Sequence, residues 1–217
     1  MIRCHAIGNI MTNPRTKGAD WSETAKSAML ELAREQIFGV RKSLDDVRCI
    51  QKGLACEDEA IELYNNVFLC DLKKVENDER RNNGIITGVP DLVAASEGKG
   101  VDIKVAWSLL TFPLTSDQAD KKAYEWQARG YMALFDLPVW EIAYCAIDTP
   151  TDILPNWEDE KIHLIPESIP NHCRITICRY ERDMAIEKLM LDKCEKANAF
   201  VKQAMNDFIT DHEQYLK

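Results

Sequence analysis

Between Gly88 and Lys104 the chain reads GVPDLVAASEGKGVDIK, and Val105 follows. Side chains alternate across a strand, so Val101, Ile103 and Val105 take one face while Asp102 and Lys104 share the other. The polar turn SEGKG joins two expected strands, around Gly88–Ala94 and Gly100–Trp107, into a hairpin. Asp91, after Pro90, stands at the entrance of the first strand, ahead of the apolar Leu92 to Ala94. An acid, an apolar strand, a turn and then an acid and a lysine on one face make a pattern that asks for a ligand. Taken alone, Asp102 and Lys104 also fit a solvent-facing pair on an edge strand.

Working outward, 217 residues with 46% hydrophobic content can bury a sizeable core, and one domain spanning 1–217 is expected, of α/β class with a mixed central sheet. The opening MIRCHAIGNI lacks a signal-peptide run and nowhere do 18 apolar residues follow one another, which predicts a cytoplasmic protein without a membrane partner. Eight scattered cysteines without a C-x-x-C pair read as buried free thiols. The rival is a metal site from Cys173, Cys178, Cys194 and His172, whose spacing fits no common ligand pattern. A net charge of −9 argues against nonspecific coating of nucleic acid but leaves a nuclease open. Residues 1–50 carry eight Lys/Arg against six Asp/Glu, so this end could face a phosphate backbone, although a solvated surface explains it equally.

Ser22 caps an expected helix that ends at Gly39, and a second helix is predicted over roughly Leu44 to Val67. The charged KKVENDERRNNG reads as an exposed, mobile loop. TSDQADKKAYEWQARGYMALFD reads as one helix capped by Thr115 or Ser116, VWEIAYCAI and CRITICRY as strands, and the residues from about Glu181 as a long amphipathic helix. Its apolar Met184, Leu189, Met190, Ala197, Val201, Met205 and Phe208 are expected to pack on the core.

Two further polar residues fall where the pattern predicts apolar ones. Glu57 shares a stripe with Ile50, Leu54, Ile61 and Tyr64, and a carboxylate there needs a partner or a metal unless it snorkels at the edge. Gln127 shares a face with Ala123, Tyr131 and Leu134, where a satisfied buried amide is the bland alternative. With Asp91, Asp102 and Lys104 they suit metal-dependent phosphodiester hydrolysis. Carboxylates hold a hard cation that polarises the phosphoryl oxygen and acidifies water, and a lysine on the same face orients or deprotonates that water or offsets developing charge.

At this point Val-Pro-Asp91 and Asp102-Ile-Lys104 resemble the PD-(D/E)XK nuclease superfamily, and within it the phage lambda exonuclease and viral recombinase (YqaJ-like) group. KGLACEDEAIELY resembles that group's Gly-x-x-x-Glu-x-x-Ala helix, NPRTKGADW its Pro-Arg loop, and YEWQARGYM its Gln-x-x-x-Tyr motif. The resemblance implies a restriction-endonuclease-like core with a long C-terminal helix, and Mg²⁺, with Mn²⁺ a substitute, on Glu57, Asp91, Asp102 and the Ile103 carbonyl. Lys104 and Gln127 complete the catalytic set, while Arg15, Lys17 and Tyr131 contact DNA. It further implies 5′-to-3′ digestion of linear double-stranded DNA for recombination by strand annealing, with a single-strand annealing partner and a ring-shaped trimer. Here His5 stands where the group has a serine at its terminal-phosphate segment, and the second acid is Asp102 rather than the commoner glutamate. A structure-specific endonuclease of the same fold and a non-catalytic DNA-end-binding module are the alternatives.

Overall fold

The computed structural model describes residues 1–44 and 46–213. In chain order it runs β1 (Ile2–Arg3), a 3-10 turn (Cys4–Ala6), α1 (Ile7–Ile10), α2 (Glu23–Phe38), α3 (Arg48–Ala55), α4 (Glu57–Phe68), β2 (Arg81–Asn82), β3 (Ile86–Gly88), β4 (Leu92–Ala94), β5 (Lys99–Val105), α5 (Ser116–Ala119), α6 (Lys122–Phe135), β6 (Val139–Cys145), β7 (Ile175–Glu181) and α7 (Met184–Glu213). Two mixed sheets result, ordered β1-β3-β2 and β4-β5-β6-β7. In the larger, β4 and β5 are antiparallel, β5 and β6 parallel, and β6 and β7 antiparallel.

The alternation of β5 decides what covers each face. Val101 and Ile103 pack with Ala143 and Cys145 of β6 under Cys56, Ala60, Ile61 and Tyr64 of the α4 region. The opposite face carries Trp140 and Ile142 into a larger core with Tyr131 and Met132 of α6, Met29 of α2, and Met190, Ala197 and Val201 of α7. Asp102 pairs in register with Ile142 and Lys104 with Tyr144, so the acid and the lysine lie on the α6 side. Gly100 has no side chain because the Trp140 ring covers it; an added Cβ would fall inside that ring's contact radius.

Several elements differ from the sequence reading. The second helix starts at Arg48, not Leu44, and is two helices that part at Cys56, whose φ of −106° and ψ of 6° leave the helical region; Asp45, inside the expected span, lies outside the described residues. The break rotates the stripe, so Leu54 is exposed and Lys52 takes the inward position. The expected first hairpin strand splits into β3 and β4, which belong to different sheets. The stretch expected to be a mobile loop is exposed but structured: Lys74 bridges Leu92, Glu76 and Glu79 close a capping box, and β2 pairs with β3. The third helix separates into α5, capped by Thr115, and α6. In α7, capped by Asp183 rather than beginning near Glu181, Met184 and Leu189 are exposed while Met190, Cys194, Ala197 and Val201 fill the core.

Candidate active site

Asp91, at the mouth of β4, accepts a hydrogen bond at Oδ2 from the Ile103 amide of β5 at 2.7 Å. That bond fixes the turn Val89-Pro90-Asp91 against the neighbouring strand. Burial first, and then the Asp102 carboxylate, push the Asp91 carboxyl well above the usual range, against the pull of Lys104 and the Ile103 amide. Asp102 is buried and forms an ion pair with Lys104. Burial works to lower the Lys104 pKa, but Asp102 and Asp91 more than offset it, so the side chain is an ammonium.

The helix break supplies the third carboxylate. Glu57 is the first residue of α4, followed by Asp58 and Glu59, and three acids in a first turn suit the positive end of the helix. Its side chain pairs with Lys74, which the bridge to Leu92 holds beside β4. Glu57 therefore reaches the site from a helix start rather than from the expected stripe. Glu57, Asp91, Ile103, Lys104 and Gln127 all border one cleft of about 570 Å³. Gln127 is buried and adjoins the Tyr131 hydroxyl. Tyr131 in turn donates to the Val89 carbonyl at 2.7 Å and stacks on Trp140, with ring centroids 5.0 Å apart. Gly88 is required there, since a Cβ would come 2.6 Å from Tyr131 Cε1. Arg15 and Lys17 are exposed in the loop before α2 and do not line the cleft.

The donor set of Glu57, Asp91, Asp102 and the Ile103 carbonyl is all oxygen, the chemistry of a hard divalent cation, and the repulsion between Asp91 and Asp102 is what such a cation relieves. Among the described residues no group of three or more His, Cys, Asp or Glu stands arranged around one metal position, since Glu57 is held by Lys74 and Asp102 by Lys104. All eight cysteines are free; Cys4, Cys56, Cys145, Cys178 and Cys194 are buried as expected, whereas Cys70 is half-buried and Cys49 and Cys173 are exposed.

Sequence reasoning missed a second feature. A pocket of about 260 Å³ beside the cleft is lined by Arg3, His5, Arg41, Arg80, Thr87, Gly88 and Tyr131. His5 borders both spaces. Burial, followed by Arg41, Arg3, Lys104 and Arg80, lowers the His5 pKa, which marks a strongly positive local field. Its signals were the basic balance of residues 1–50 and His5 at the position of the group's terminal-phosphate segment, while Arg80 joins from a distant stretch.

A mixed sheet with an acid at one strand mouth, an acid–lysine pair on the next strand and a glutamate at a helix start defines a nuclease-type core. Among solved structures the chain is similar to a phage-related exonuclease from Haemophilus somnus 129PT, with a TM-score of 0.84, 27% identity, and coverage of 97% of this chain and 96% of that one. An alkaline exonuclease from Laribacter hongkongensis shares the fold at a TM-score of 0.72 and 14% identity, over the whole of this chain and 94% of its own. The same enzyme in complex with dAMP matches at a TM-score of 0.67 and 15% identity, again over the whole of this chain and 94% of that one. No protein-family model and no curated protein matches the sequence. The resemblance to the phage-exonuclease group read from the motifs is thus borne out in three dimensions, and it supports a DNA exonuclease. Among the described residues no helix is long and apolar enough to cross a membrane.

Proposed function

We propose that the chain is a Mg²⁺-dependent exonuclease that degrades linear double-stranded DNA from 5′ ends and leaves 3′ tails for an annealing partner. The observation that carries this reading is the convergence of Glu57, Asp91 and Lys104, the last paired with the buried Asp102 behind it, on one cleft, in a chain similar over its length to a phage-related exonuclease. Glu57, Asp91, Asp102 and the Ile103 carbonyl would hold the cation, whose chemistry when bound is to polarise the phosphoryl oxygen and acidify the attacking water. Lys104, as an ammonium, orients that water and offsets charge developing on the phosphate. Gln127 and Tyr131 keep the Val89–Asp91 turn and the Lys104 face in place. The Arg3, His5, Arg41 and Arg80 pocket supports recognition of a terminal phosphate.

The test is a blunt linear duplex labelled at either end, incubated with Mg²⁺ or chelator beside a covalently closed circle. Label released from 5′ ends only with Mg²⁺, and an intact circle, is the expected result. Cutting of the circle would establish an endonuclease instead, and duplex binding without cleavage under any divalent metal a DNA-end-binding module.

A further inference from the structure

One polar group in the cleft has no part in that chemistry. Tyr144 of β6 stands in register with Lys104 and lines the cleft, yet its side chain is only 5% exposed and its hydroxyl, with the Tyr124 side chain beside it, makes no hydrogen bond of normal geometry. A buried hydroxyl without a partner costs stability and persists where a ligand completes it. Directly above it, Lys121 Nζ lies 5.3 Å from the Tyr144 ring centroid and 5.8 Å from that of Tyr124. Lys104 Nζ lies 5.3 Å from the centroid of the same Tyr124 ring. Lys121 also occupies the N-cap of the 14-residue α6 without a side-chain cap, so the positive end of that helix opens beside the two tyrosines. Lys121, Tyr124 and Gln127, one turn apart along α6, all face the cleft.

We propose that Lys121, the Tyr144 hydroxyl and the first turn of α6 form a second anion subsite, which takes a backbone phosphate of the bound DNA strand next to the one that Lys104 faces. The identity of the ligand rests on the nuclease reading. The subsite's own grounds are an uncommitted hydroxyl, a cation held over two rings and an open helix start. Tyr144 donates its hydroxyl proton to a phosphate oxygen, and Lys121 contributes one positive charge. Lys104 and Lys121 lie 5.3 and 5.8 Å from the Tyr124 ring centroid, so the two lysines address neighbouring phosphates of one strand.

The experiment measures binding of a linear duplex by fluorescence anisotropy in chelator, across a salt series, and cleavage with Mg²⁺, for wild type, Tyr144→Phe, Lys121→Ala and Lys121→Arg. Tyr144→Phe is expected to weaken binding roughly tenfold, the size of one lost hydrogen bond to a charged group, while raising Tm because it deletes an unmet hydroxyl. That opposition is what a merely structural tyrosine does not produce. Lys121→Ala is expected to weaken binding and lower the slope of log K against log salt by about one, and Lys121→Arg to restore both. Unchanged affinity in Tyr144→Phe, or an unchanged slope in Lys121→Ala, would overturn the subsite. Equal losses in affinity for a free 5′-mononucleotide would overturn its assignment to the flanking phosphodiester. If wild type binds duplex without cleaving it, the nuclease reading fails while the binding arm still decides the subsite; if it does not bind duplex, both fail.

Discussion

The four-stranded and three-stranded sheets border two adjoining spaces, which share His5, with opposite chemistry. From β4 and β5 the larger sheet brings a half-buried Asp91 held by the Ile103 amide and a buried Asp102 paired with a half-buried Lys104. Around β1, β2 and β3 the smaller brings Arg3, Arg80 and Gly88, joined by His5 and Arg41, into a basic pocket. In the first, loss of one partner leaves a charge unmatched at the buried Asp102; in the second, several cations share one field, with Arg3 held by Glu35. The acid–lysine pair therefore sits on the seven-residue β5, and the positive field sits around strands of two or three residues.

The largest expected effect lies in the larger sheet. Lys104→Ala removes the cation on the reacting phosphate's face and should lower kcat by about 10³-fold, with duplex binding retained; the check is single-turnover cleavage beside anisotropy. Next, Gly100→Ala should destabilise the protein by about 3 kcal/mol, read from urea unfolding, because a Cβ there collides with the fully buried Trp140 ring.

A third expectation concerns Lys52, which is buried beneath α3 and donates to the Trp107 carbonyl at 3.0 Å. Burial lowers its pKa to about 8 from an ordinary value of 10.5. Between those values the unfolded chain holds a proton that the folded chain has released, so this group makes stability rise with pH from about 8 to 10.5, and its cost is fully present below pH 8. Lys52→Met should flatten that rise, which is worth up to about 3 kcal/mol. The smallest effect belongs to the basic pocket. Arg80→Ala should reduce the preference for 5′-phosphorylated over 5′-hydroxyl ends by roughly tenfold and leave cleavage of 5′-hydroxyl duplex unchanged. A loss on both substrates alike would break the division of labour between the sheets.

How much of this could be read from the sequence follows the same division. The alternation of Val101 to Val105 has a period that one strand suffices to show, and it put Asp102 and Lys104 on one face correctly. The strands of the smaller sheet are too short to have a period, and β1 pairs with β3 across most of the N-terminal half, so neither that sheet nor its pocket was visible. Glu57 was selected on a helical stripe that does not exist as drawn, because Cys56 breaks the helix; it reaches the cleft through the break itself. Tyr131 was read as a DNA contact, and its buried hydroxyl is committed to Val89 at the edge of the basic pocket. Hydrophobic patterning reports burial, not which loop a buried hydroxyl will brace.

The most direct test of the central claim is the initial rate of linear-duplex loss as Mg²⁺ is raised from zero, for wild type and Asp91→Asn. The account predicts no loss in chelator, a saturable rise for wild type, and for Asp91→Asn a rate at least about 10²-fold lower at the same Mg²⁺ concentration. Cleavage that persists in chelator, or an Asp91→Asn curve that overlays the wild type, would contradict it.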